Sequence, residues 1–146
     1  MAYCDNLMAA AILIVDDLPD DANLLRRTVL SLRPKCSVLT VSGGKDLKDY
    51  LDGQGRYADR ETFTYPSLLL LDLRMPEMSG FEVMEWLKNH PIHAAIPVIV
   101  TSTFDRQREI RKSYQLGART FLSKPVKPES VRGAIRTLML PIEFSD

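Results

Sequence analysis

The chain is poor in the features that would place it in a special class. Cysteine occurs only at Cys4 and Cys36 in 146 residues, which excludes a disulfide framework. A bridge between the two would merely staple the N-terminal segment to the body, so both are read as thiols of a reducing cytosol. Long hydrophobic runs are missing too. The longest near the N-terminus covers 7–15, well short of the roughly 20 residues that span a bilayer. No lysine or arginine precedes it, and it ends in Asp16-Asp17 where a leader cleavage site needs small residues. Residues 1–10 are therefore read as a tail entering a buried strand. Neither sign of charge is in excess. Lysine plus arginine and aspartate plus glutamate each number 19, which argues against bulk attraction to nucleic acid or anionic membrane.

What is present is ordinary globular composition, 45% hydrophobic and 26% charged, in a length that suits one domain. Such a chain buries a core without disulfides or a structural metal. Apolar runs stand at 12–15, 38–41, 67–71 and 96–100, with a weaker one at 120–122. Continuous rather than alternating runs suit strands covered on both faces. Between them the spacing is helical. Asp20 or Asp21 opens a first helix carrying Leu25, Val29 and Leu32, stopped by Pro34. A short second helix over 45–51 ends at Gly53. Ser79 caps a third, with Val83, Met84 and Leu87 inward and Pro91 beyond its end. A fourth runs over 105–116 and closes at Gly117, and a fifth begins at Pro128 with Val131, Ile135 and Leu138.

Strand and helix thus alternate five times. The prediction is an α/β fold with right-handed crossovers: a flavodoxin-like, doubly wound, five-stranded parallel sheet in the order 2-1-3-4-5, with five helices. The link over 53–66 exceeds the usual 2–6 residues. It carries Arg56, Tyr57, Asp59, Arg60, Phe63 and Tyr65, yet is read first as a plain loop and second as a docking segment.

In open parallel sheets, functional groups gather at the carboxyl ends of the strands. Those ends supply Asp16 and Asp17, then Asp72, then Thr101 and Ser102, then Lys124 before Pro125. Three crowded aspartates need a compensating cation, and Mg²⁺ is the hard, oxygen-seeking choice where phosphate oxygens share its shell. Lys124 adds a positive point charge and Thr101 a hydroxyl donor. The set suits a carboxylate nucleophile in phosphoryl transfer. Each piece alone has an ordinary explanation as a helix cap, a turn former, a surface charge or a β-branched strand residue. Together, at successive strand ends, they carry weight.

The stretches ILIVDD (12–17), LLLLDLRMPEMSGFEVMEWL (68–87), IPVIVTS (96–102) and LGARTFLSKPV (116–126) resemble the receiver domains of bacterial two-component response regulators. The resemblance extends over about residues 11–140, and a receiver domain of 11–141 with a tail of 142–146 is expected. It implies that Asp72 is the phosphoacceptor, that Asp16, Asp17, Asp72 and the Arg74 backbone carbonyl hold Mg²⁺, and that Lys124, in a cis peptide with Pro125, contacts the phosphoryl group. Thr101 would follow a phosphoryl oxygen and Phe121 would swing inward as the switch aromatic, without the hydroxyl of the tyrosine often found there. Arg74 and Thr103 depart from common choices along the route of a hydrolytic water, which leaves the phosphoryl lifetime open. The 53–66 segment resembles that of receivers paired with phytochrome-type light-sensing kinases.

The resemblance further implies a stand-alone cytoplasmic response regulator, a monomer or weak homodimer. It would catalyse only its own phosphorylation and dephosphorylation. Its partners would be a histidine kinase or phosphotransfer protein and a downstream target, with no nucleic acid or membrane. Output is expected at the face of the fourth helix, fifth strand and fifth helix. Arg106, Arg108, Arg111 and Lys112 of the fourth helix are read first as a solvated basic surface. His90 and His93 lack nearby cysteines, and no transition-metal site is expected there. A flavin or nucleotide domain is disfavoured by the acidic loop over 16–21, which would repel phosphate. An aspartate-based phosphatase would place its nucleophile after the first strand and need a cap. A degenerate receiver is disfavoured by the intact Asp16, Asp17, Asp72, Thr101 and Lys124.

Overall fold

A computed structural model describes residues 11–103 and 106–138. The two expected tails, Cys4 and the helix opener Asp105 lie outside these. Five strands form one sheet: β1 (Ala11–Val15), β2 (Ser37–Val41), β3 (Leu68–Asp72), β4 (Val98–Ser102) and β5 (Thr120–Ser123). All neighbours pair in parallel, in the order β2-β1-β3-β4-β5. This is the predicted flavodoxin-like topology.

Successive side chains of a strand point to opposite faces, so a continuous apolar run feeds two cores. Ile12, Ile14, Leu68, Leu70 and Ile99 pack with Leu25 and Val29 of α1 (Pro19–Leu32) and Val131 and Ile135 of α5 (Pro128–Leu138). Leu13, Val15, Leu69, Leu71, Val98 and Val100 pack the other way. They meet Leu47 and Leu51 of α2 (Gly44–Asp52) and Val83, Met84 and Leu87 of α3 (Gly80–Lys88). The remaining helix, α4 (Gln107–Gln115), buries only Glu109 and Ser113.

Several boundaries depart from the sequence reading, among them the fourth helix, which runs over Gln107–Gln115 instead of 105–116. The first helix begins at Pro19, with Leu18 as a cap that makes no side-chain bond. Proline suits the first helical position because its missing N–H is an orphan there, while Asp20 and Asp21 face the positive end of the helix from within its first turn. β4 begins two residues late, at Val98. Pro97 has no N–H to donate and enters the ladder only as the acceptor from Leu69 N at 3.0 Å. β3 correspondingly runs one residue further and includes Asp72 itself.

The 53–66 segment is the main correction, because it is no plain loop. Tyr50, Tyr57 and Phe63 form a three-ring cluster with centroids 5.0–6.0 Å apart. Gly53, at φ 64°, ends α2 in the left-handed region. Arg60 then spans the exposed carbonyls, donating from Nη1 to Tyr50 O at 2.7 Å and from Nη2 to Leu51 O at 3.3 Å. A guanidinium at the negative end of a helix is favourably placed. The segment is a packed clasp on the end of α2.

Candidate functional site

The strand ends bring the expected residues together. Asp16 and Asp17 follow β1, Asp72 closes β3, Thr101 lies opposite Asp72 in the β3–β4 register, and Lys124 follows β5. Asp16, Asp72 and Thr101 are buried. Lys124 Nζ lies 2.9 Å from Asp16 Oδ2, 3.1 Å from Asp21 Oδ2 and 3.5 Å from Asp72 Oδ1. The Lys124–Pro125 peptide is cis, as the resemblance implied.

Local structure explains why these groups stay put. Leu18 N donates to Asp16 Oδ1 at 3.0 Å, so the turn into α1 orients that carboxylate. Arg74 N points at Asp72 Oδ1 at 3.4 Å, and Leu73 N donates to Thr101 O at 3.1 Å. After the loop over 73–79, Ser79 caps α3 through a reciprocal box with Glu82. Gly80 then sits so close to the end of β3 that a Cβ would lie 2.6 Å from Asp72 O and 2.7 Å from Leu73 Cα. Only glycine permits this approach of helix to strand.

The Asp72 carboxyl stands at about 6: burial pushes it up, Lys124 pulls it down, Asp16 pushes it up, and the Arg74 amide pulls it down. Burial alone would lower the Lys124 ammonium. Its hydrogen bond to Asp16, the charge of Asp72 and its bond to Asp21 outweigh that, so it is held above the usual lysine value.

One carboxylate oxygen from each of Asp16, Asp17 and Asp72 lies within 4.8 Å of the others. Asp17 Oδ1 is buried with no hydrogen-bond partner, a costly arrangement for a carboxylate unless a cation meets it. The donor set is all oxygen and anionic, which fits a hard divalent ion such as Mg²⁺. The site can therefore hold a metal among the three carboxylates, with the Lys124 ammonium and Thr101 close by. That is a phosphoryl-handling arrangement, and sequence comparison decides the family. Residues 12–136 match the response regulator receiver domain family. The chain belongs to that family.

Among its relatives is protein PilG of Pseudomonas aeruginosa, 30% identical over 119 residues, covering 80% of this chain and 81% of PilG. Response regulator Rcp1 of Synechocystis is 30% identical over 113 residues, covering 77% of this chain and 75% of Rcp1. The crystal structure of the phosphorylated cyanobacterial phytochrome response regulator RcpA superposes with a TM-score of 0.78 at 27% identity, over 94% of this chain and 99% of that one. The receiver fold and its similarity to phytochrome response regulators are thus established. No helix among the described residues is long and apolar enough to cross a membrane.

Two features of this receiver escaped the sequence reading. Asp21 was legible only as a helix-start carboxylate, whereas it is a direct partner of Lys124. Its position four residues after Asp17 was the available signal. Asp52, His90 and His93 also converge, with ligand-type atoms within 4.8 Å. Three of the four ring nitrogens have hydrogen-bond partners here. His93 Nε2 meets Asp52 Oδ1 at 2.9 Å and its Nδ1 meets Tyr65 OH at 2.7 Å, while His90 Nδ1 accepts from Ile92 N and His93 N. The two rings stack at 3.9 Å and 19°. The cluster is a clasp joining α2, the long segment and the turn before β4.

Phe121, the expected switch aromatic, is half-buried and packs on the core under α2 and α3. Arg74 and Thr103 are exposed. The side chain of Arg74 lines a cleft with Phe81, Arg108 and Lys112, and Thr103 lines another with Asp21 and Lys124.

Proposed function

We propose that Asp72 accepts a phosphoryl group from the phosphohistidine of a sensor kinase or phosphotransfer protein. An Asp72 carboxylate oxygen forms the new O–P bond as the donor's P–N bond breaks, and the imidazole departs with the bonding pair. Lys124 and Thr101 receive the phosphoryl oxygens, the first as a charge and the second as a hydroxyl donor. Asp16, Asp17, Asp72 and the Arg74 carbonyl would hold Mg²⁺, which supplies Lewis-acid charge neutralisation when bound.

The observation that carries this reading is the ammonium of Lys124 set 3.5 Å from Asp72 and 2.9 Å from Asp16, with the unpartnered Asp17 oxygen beside them. A carboxylate poised as nucleophile needs that counter-charge in place before an anionic donor approaches. The phosphorylated state of RcpA and a Mn²⁺-bound form of Rcp1, which superposes with a TM-score of 0.76 at 26% identity, support it by likeness.

Phosphorylation would draw Thr101 and Phe121 toward the site and repack the face of α4, β5 and α5, where a target protein reads the change. A phytochrome-type kinase is the favoured donor, on the similarity to RcpA and Rcp1. Incubation with radiolabelled acetyl phosphate and Mg²⁺ tests the chemistry. Acid-stable, base-labile label is expected on the wild type and none on Asp72→Asn. Label retained by that variant would overturn the assignment.

A further inference from the structure

We infer that Asp21 is a positioning residue that holds the Lys124 ammonium toward α1 and so restrains its delivery to a bound phosphoryl group. The inference rests on the reading of Asp72 as acceptor. An ammonium has three N–H donors, and three carboxylates face this one. It lies nearest Asp16 and Asp21, at 2.9 and 3.1 Å, and farthest from Asp72, at 3.5 Å. Two of the three donors are thus engaged by the segment that leads from β1 into α1.

Asp16 and Asp21 differ in what a cation would do to them. Asp16 belongs to the metal-holding cluster, so a bound cation shares its charge and loosens its claim on Lys124. Asp21 is not part of that cluster and keeps its full claim. It acts from the first turn of α1, where the helix sets its direction. Its neighbour Asp20 carries the same charge in the same turn but is exposed, with no contact to Lys124.

The Asp21 side chain is 41% exposed against 2% for Asp16 and 4% for Asp72, so it can be neutralised without leaving a buried orphan. Loss of its charge would release one donor and remove an anion from beside an anion-binding site. Both effects have the same sign. Tighter capture of a phosphoryl-like anion is the consequence.

The test is calorimetric titration of the intact chain with beryllofluoride at saturating Mg²⁺, for wild type, Asp21→Asn, Asp21→Glu and Asp20→Asn. Asp21→Asn is expected to bind about 2- to 5-fold more tightly, the range of a partly exposed ion pair. Asp21→Glu should return the wild-type value, and Asp20→Asn should leave it unchanged. Equal or weaker binding by Asp21→Asn overturns the inference. So does an equal gain in Asp20→Asn, which would reduce the effect to the general field, and so does failure of the glutamate to rescue. Wild-type protein that binds no beryllofluoride would bring down the acceptor reading as well, an outcome distinct from all the others.

Discussion

Asp72 combines deep burial with a nearby lysine, and the balance between them has consequences for stability. Its carboxyl is raised from 3.8 to about 6 by burial, against the pull of Lys124. A carboxyl raised on folding contributes stability while both states hold the proton, below about pH 4, and loses it as pH climbs through about 6. The size of the shift sets an upper bound of roughly 3 kcal/mol. Metal-free wild type should therefore lose stability from this group between pH 4 and 6, and Asp72→Asn should be the more stable protein at pH 7. Thermal melts in chelator across that range test this; an asparagine variant that melts lower at pH 7 would contradict it. Mg²⁺ is expected to raise the melting point of wild type, by binding the folded state alone, and to raise that of Asp17→Asn far less.

The elements carry their own weak points. The N-terminus of α3 is held by Ser79 and its box with Glu82, so Ser79→Ala should cost about 1 kcal/mol in denaturant melts. Gly80→Ala is a different matter. The added carbon would sit 2.6 Å from the backbone oxygen of Asp72, and backbone cannot yield as a flexible side chain can. That variant should shift β3 against α3, with a larger stability loss and weakened Mg²⁺ binding in the same protein. The clasp on α2 should behave as a unit. Arg60→Ala, which uncovers the carbonyls of Tyr50 and Leu51, should speed amide exchange across 53–66 and leave β4 protected. Uniform loosening of the whole chain would argue that the segment is no separate element.

Across the whole molecule, the site exists because distant pieces of chain meet at the carboxyl end of the sheet. Lys124 and Asp16 are separated by 108 positions and lie 2.9 Å apart. Under the proposed function, coupling to the far face would run through β4 and β5, whose side chains Thr101 and Phe121 are buried and half-buried. Beryllofluoride with Mg²⁺ should therefore change amide exchange in α4 and β5 more than in α1 or β2. An effect confined to the site itself would remove the proposed route to a target.

The strand–helix alternation, the two-sided burial of the strands and the acidic and basic residues at their carboxyl ends were all legible in sequence order. Each depends on local spacing, on the difference between periods of 2 and 3.6, and on residue types that punctuate the chain, such as Ser79 and Gly53. The motif from Asp72 to Gly80 was legible through its resemblance to receiver domains. Partnerships between segments were not. That Asp21 reaches Lys124, that Arg60 covers the end of α2 and that His93 bridges Asp52 and Tyr65 are matters of how packed surfaces meet. A charge or ring looks alike in sequence whether it faces solvent or a neighbour 40 or 100 residues away. The close fit of Gly80 against β3 shows both sides: glycine was visible as a residue of the motif, but the backbone it had to clear was set only by the assembled fold.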